Sequence, residues 1–237
     1  LKSVTVCITN YQSGEAVQLA IESVRRYTSR PFSISVYDDA SDPVHYGDEL
    51  TYLRDARDKG WIRLIEGAKR IGHNGALPAL LDSVTDDLAM VIDCDIQITG
   101  PGWLDEMIEC QESKSAAIIV DLESFPDNPA VIDSWFFMLD MKQYPEFEAT
   151  WEYTQRPDFV SWEQTPDALY ATGFRVWERA VTQGRVIVPV PVSVRHKFRH
   201  FGHVSVLSWP PDCPEFAVRT GRMAVIGAEL AKLRASA

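Results

Sequence analysis

The sequence is short of basic residues. Lysine and arginine together number 23 against 34 acids, for a net charge of -11. A chain this acidic has no general affinity for nucleic acid or for an anionic lipid surface. It has only four cysteines, Cys7, Cys94, Cys110 and Cys213. They show neither the close pairing of a zinc site nor the density of a disulfide scaffold. Reduced core thiols in a cytoplasmic protein are the expectation. No apolar run is long enough to span a bilayer, and no signal-peptide pattern opens the chain. The first residue is Leu1 rather than Met, so the native N-terminus is expected upstream. Repeats and low-complexity tracts are lacking too. What remains is an ordinary globular composition, 46% hydrophobic and 24% charged over 237 residues.

The first hundred residues alternate between strand and helix patterns. SVTVCITN is β-branched and ends in a polar loop from Asn10 to Gly14. Glu15–Tyr27 carries Val17, Ala20, Ile21 and Val24 at helical spacing. FSISVYDDASD gives a second strand closing on Asp38 and Asp39, and Asp48–Lys59 a second helix stopped by Gly60. WIRLIEG is a third strand. Asn74–Val84 reads as a helix with Pro78 in its first turn, and LAMVID is a fourth strand. Such alternation predicts an α/β fold, a mostly parallel sheet flanked by helices, with ligands at the strand C-terminal ends.

Beyond Gly100 the pattern loosens. Trp103–Cys110 is a helix, SAAIIVDL and SWFFMLDM are strands, and Tyr144–Pro166 is irregular with several aromatics. A helix over Asp167–Gln183 and a last one over Glu215–Arg234 follow, the latter striped by Met223, Ile226, Leu230 and Leu233. Arg219, Arg222, Lys232 and Arg234 lie beside that stripe. Packing back on the sheet is the first expectation. A second copy of the chain, giving a homodimer, or peripheral membrane contact would also suit it.

Three constellations carry chemistry. The stretch MVIDCDIQITG ends a buried strand on Asp93 and Asp95, which share one side of an extended chain. Two carboxylates held together repel unless a cation lies between them. A hard divalent ion, Mg²⁺ or Mn²⁺, with open positions for a diphosphate is the natural partner. The run RHKFRHFGH brings His196, His200 and His203 together with Arg195, Lys197 and Arg199. The run is either a solvated charged loop or a functional one, in which a histidine would complete the metal site and tilt it toward Mn²⁺ and the cations would clamp diphosphate charge. Asp38 and Asp39 can accept hydrogen bonds from a ribose hydroxyl or a base N–H, or serve only the turn. Aromatics such as Trp135 and Trp162 suit either core packing or stacking on a sugar.

In order and spacing these pieces resemble the GT-A glycosyltransferases of the inverting family 2 type. The matching segments are TVCITNYQSGEAVQLAIESV, SISVYDDASD, KRIGHNGALPALLDSV and MVIDCDI. The resemblance is good over about the first 110 residues and looser afterwards. It implies one continuous Rossmann-like domain: a nucleotide-sugar half over 1–100, an acceptor half over 101–214 and a C-terminal helix over 215–237. It implies a UDP-, dTDP- or GDP-sugar donor and a hydroxyl acceptor. Thr9, Asn10 and Tyr11 would lie near the base, Asp38 and Asp39 at base or ribose, and Arg70 toward the nucleotide. Asp93 and Asp95 would hold metal and diphosphate, with His200 favoured over His203 as a further ligand. Trp135 and Trp162 are placed at the sugar or acceptor. The family's usual Asp-Asp-Gly-Ser has Ala40 for its glycine here. Related sequences often read Asp-Thr-Gly on the acceptor side, where this one reads Ala171-Thr172-Gly173. Asp167 is then the expected general base, with Glu163 as the alternative. Two other readings stay open: a non-catalytic sugar-nucleotide binding protein, and a nucleotidyltransferase. The second lacks the Gly-rich basic loop it would need after the first strand.

Overall fold

The computed structural model describes residues 2–121, 135–147, 174–202 and 214–236. Strand β1 (Val4–Asn10) lies at its centre and is buried along its whole length. A strand built mainly of β-branched residues and buried on both faces has to be covered on both sides. It pairs in parallel with β2 (Ser33–Asp38) on one flank and β4 (Leu88–Asp93) on the other. Beyond β2 lies β3 (Arg63–Glu66), also parallel. Beyond β4 come β7 (Phe136–Asp140), antiparallel, then β6 (Ile118–Val120) and β8 (Ile187–Pro189). The order β3-β2-β1-β4-β7-β6-β8 makes a mostly parallel mixed sheet, as the alternation requires.

Successive residues of each strand feed opposite faces. Val4, Val6, Ile8, Met90 and Ile92 join one core with helices α1 (Glu15–Tyr27), α2 (Pro43–Asp58) and α4 (Trp103–Lys114). Cys7, Ala89, Val91, Phe137 and Leu139 join the other with α3 (His73–Leu81), α5 (Tyr144–Phe147) and α6 (Phe174–Thr182). Fully burying one such side chain is worth about 1.5–3 kcal/mol. The last helix, α8 (Pro214–Ala235), sets Ile226, Leu230 and Leu233 against Ala16 and Leu19 of α1. Its apolar stripe is therefore used within the chain. Among the described residues no helix is long and apolar enough to cross a membrane.

Several boundaries differ from the sequence expectation. Helix α2 begins at Pro43 rather than Asp48, because Asp42 caps it through the Val44 N–H and Pro43 suits a first turn. It bends at Tyr46, whose backbone is not helical. Helix α3 begins at His73, so Pro78 is its sixth residue and not in its first turn. Proline there cannot donate to the Asn74 carbonyl. Several elements were not foreseen, among them α5 in the stretch expected to be irregular. A short strand β5 (Ile96–Ile98) follows the acidic turn and pairs antiparallel with β9 (Phe198–His200). One turn of helix, α7 (Val192–Arg195), leads into β9.

Candidate active site

The order of strands reverses beside β1, with β2 and β3 on one side and β4 on the other. Parallel strands that diverge this way leave a crevice at their C-terminal ends. Register puts Asn10 beside Asp38 and Thr9 beside Asp93 at that edge.

Asp93 closes β4 and Asp95 opens the turn into β5. The β5–β9 ladder sets Ile96 opposite His200, which delivers the imidazole to the acids. His200 Nε2 lies 3.2 Å from Asp95 Oδ1. Ligand atoms of Asp93, Asp95 and His200 all fall within 4.8 Å of one another. Two carboxylate oxygens and one imidazole nitrogen at this spacing fit a divalent ion. Cys94 between the acids does not join them as a thiolate, since burial pushes its thiol well above the usual range.

The histidine is held from several directions. The Trp135 ring stacks on it, centroids 4.6 Å apart, and the Trp135 carbonyl accepts the Asp93 N–H at 2.9 Å. Phe201 N–H donates to the Asp95 carbonyl at 3.1 Å. The Arg222 guanidinium of α8 donates to the Gly202 carbonyl just past β9. Trp135, expected at the sugar, thus has one face against the His200 imidazole.

The basic run around β9 is not an open clamp. Arg195 pairs with Asp121 at 3.2 Å, and Lys197 pairs with Glu106. Arg199 lies over the Phe201 ring, 4.7 Å from its centroid. The reading of Arg195 and Lys197 as cations waiting for a diphosphate is corrected: both already have carboxylate partners.

Thr9, Asn10, Tyr11, Asp39, His73, Ala76, Asp93 and Cys94 enclose a cavity of about 80 Å³. The Arg70 guanidinium covers Tyr11 at 4.3 Å. Asp39 accepts the backbone N–H groups of Ile71 and Gly72 at 2.7 and 2.8 Å, fixing the entry to α3. Asp38 turns inward. It accepts Asn10 Nδ2 at 2.8 Å, the Ser41 hydroxyl at 2.6 Å and the Ser41 N–H at 3.0 Å.

That inward network holds a residue the sequence reading missed. Glu49 of α2, 2% exposed, accepts from Asn10 Nδ2 and from the Gly14 N–H, each at 2.5 Å. Burial raises its carboxyl above the usual range. Glu49 ties the loop that carries Tyr11 to helix α2. Its only sequence signal is an acid on an otherwise core-facing stripe with Leu50 and Leu53. His73 was likewise unassigned; its signal is its place at the head of the KRIGHNGALPALLDSV segment. His203, Trp162, Glu163 and Asp167 lie outside the described residues.

The sequence profile of Glycosyl transferase family 2 matches residues 5–160. Comparison with curated proteins gives no match. Among solved structures, the mannosyltransferase PcManGT from Pyrobaculum calidifontis, in complex with GDP-Man and Mn2+, aligns at TM-score 0.59 and 13% identity. It covers 99% of this chain and 74% of its own. GalNAc-T7 with UDP, GalNAc and Mn2+ aligns at 0.61 and 13%, over 81% of this chain and 43% of its own. TarS 1-349 of S. aureus aligns at 0.57 and 12%, over 79% of this chain. The chain spans 57% of that TarS segment and 30% of a longer TarS chain. At such identities the likeness is one of fold. With the family profile over more than half its length, the chain belongs to glycosyl transferase family 2 and has the GT-A fold.

Proposed function

We propose that the chain is a metal-dependent, inverting glycosyltransferase. It would move a sugar from a UDP-, dTDP- or GDP-sugar to a hydroxyl of a glycan, a lipid-linked glycan or a small molecule. The observation that carries this is the Asp93–Asp95–His200 cluster at the end of β4, adjoining the cavity of Thr9, Tyr11 and Asp39. Family membership supports the reaction type, and the nucleotides and Mn2+ bound by two structures of the same fold support the donor class.

Asp95 and His200 would hold the ion, with Asp93 shared between ion and donor. An imidazole among oxygen ligands favours Mn²⁺ over Mg²⁺. Such an ion offsets the charge that grows on a departing diphosphate. Tyr11 offers an aromatic face to the base, and Asp39 keeps lone pairs for a base N–H or a ribose hydroxyl. Asp167, or else Glu163, would take the proton from the acceptor hydroxyl as it attacks the anomeric carbon from the opposite face. Inversion rests on the family resemblance.

The test is calorimetric titration with UDP, dTDP and GDP, each with Mn²⁺ and again with EDTA. Binding of one nucleotide that EDTA abolishes is the expected result. A folded protein that binds none of them would remove the basis of the proposal.

A further inference from the structure

The ring of His73 is pinned at both ends. Its backbone follows Gly72, whose N–H and that of Ile71 are held by Asp39. Gly72 has a φ of 75°, a left-handed conformation suited to glycine, so the turn into α3 is set by a residue without a side chain. The ring itself is held through Nδ1, 3.1 Å from the Thr9 hydroxyl. Among the described residues that hydroxyl has no other partner. With that hydroxyl as donor to the Nδ1 lone pair, the ring proton sits on Nε2. Nε2 is buried and has no hydrogen-bond partner among the described residues. A buried N–H left unpaired costs about 1–3 kcal/mol, so its retention in a cavity wall calls for a ligand.

We propose that His73 reads the nucleobase, its Nε2–H taking the ring carbonyl of an oxo-base (uracil, thymine or guanine) in the cavity it shares with Thr9, Tyr11 and Asp39. This rests on the nucleotide-sugar reading above. Burial pushes the imidazole down to about 4, so at neutral pH it is an uncharged donor. An uncharged donor suits a carbonyl better than a phosphate. Asp39 lines the same cavity and supplies the complementary acceptor. A donor beside an acceptor matches a base edge that carries C=O next to N–H. Cytosine and adenine place an amino group where uracil and guanine have that carbonyl. Against them the Nε2–H would face another donor, and a site built for one hydrogen-bond pattern rejects its reverse strongly.

The experiment uses base pairs that differ at this one group: UDP against CDP, and GDP against ADP. Each is titrated with Mn²⁺ into the native chain and into His73→Phe, which keeps a ring and removes both nitrogens. Thr9→Val is the second variant, since it removes the hydroxyl that fixes the tautomer. Mn²⁺ with pyrophosphate is the probe without a base. The native chain should favour the oxo-base of at least one pair by about tenfold or more. His73→Phe should bring that ratio toward one, and Thr9→Val should lower it. Neither should change pyrophosphate binding. A ratio that persists in His73→Phe, or a native chain indifferent to both pairs, overturns the role of His73 and leaves the donor site standing. A native chain that binds no nucleotide with Mn²⁺ overturns the donor reading, and this proposal with it.

Discussion

Two pairs of acids end two parallel strands of one sheet, and the fold treats them differently. Asp38 and Asp39 close β2 among donors: Asn10 and Ser41 on one, the N–H groups of Ile71 and Gly72 on the other. Their charge is met by the protein, and hydrogen bonds of this kind hold loops in place. Asp93 and Asp95 lie with the imidazole of His200, close enough for three ligand atoms to share one ion. Carboxylates gathered that tightly are stable when a cation joins them. The first pair fixes the loops around the cavity, which Asp39 lines together with Asp93; the second is suited to hold what enters it.

The sharpest way to break this contrast is Asp95→Ala. Metal-dependent nucleotide binding and sugar transfer should fall by more than about a hundredfold. Stability without metal should change by less than about 1 kcal/mol or rise, because a nearly buried acid has been removed. Manganese titration and urea unfolding measure the two separately. Full activity in this variant would end the assignment of the second pair. Asp38→Ala should do the reverse. It removes the acceptor of one Asn10 Nδ2 hydrogen and of the Ser41 hydroxyl and N–H, while Glu49 still holds the other Asn10 hydrogen, at a cost of about 2–4 kcal/mol. Mn²⁺ binding should survive in the folded fraction. Equal effects of the two variants on unfolding would erase the distinction between the pairs.

Much of this was legible in the sequence, because a buried strand and a polar turn have different chemistry. β1, β2 and β4 read as apolar runs, and each ends where its polar residues begin. The three-residue strands β5 and β9 were not legible. Neither is long enough to show alternation, and they exist because they pair with each other across a hundred residues of sequence. That pairing, rather than any local motif, brings His200 to Asp95. Glu49 was hidden for a related reason: an acid on a helix reads as surface until its buried partners, Asn10 and Gly14, are known. The basic run misled because its paired acids, Asp121 and Glu106, are remote in sequence.

Titration distinguishes two buried groups around the first pair. The imidazole of His73 is lowered from 6.5 to about 4 by burial. A depressed histidine is neutral in the folded chain while the unfolded chain binds its proton. Its contribution to stability is therefore full above 6.5 and is lost as pH falls toward 4. Glu49 works in the opposite sense. Its carboxyl is raised, so the folded chain holds a proton the unfolded one releases, and its stabilisation fades as pH rises above the ordinary 4.5. The two partly cancel in the native chain. Between pH 4.5 and 6.5 the urea midpoint should rise with pH in the native chain relative to His73→Phe, the widening difference being the histidine's. Parallel profiles would mean that the imidazole is not neutral in the fold.

The smallest expected effect lies inside the first acid pair. Ala40 follows Asp39 with a φ of 58°, a left-handed conformation in which a Cβ crowds the carbonyl beyond it. Glycine, the residue more usual here in the resembling sequences, would adopt it without strain. The gain is reduced by the extra freedom glycine has in the unfolded chain. Ala40→Gly should therefore stabilise by about 0.5–1 kcal/mol, seen as a small rise in urea midpoint. The turn it relaxes is held by Asp38 and Asp39, not by Asp93 and Asp95, so Mn²⁺ affinity should stay where it was. A gain in stability with an unchanged metal site is what separate roles for the two pairs require. A change in Mn²⁺ affinity of tenfold or about 1.4 kcal/mol would instead show that strain at Ala40 is transmitted across β1 to the acids at the end of β4.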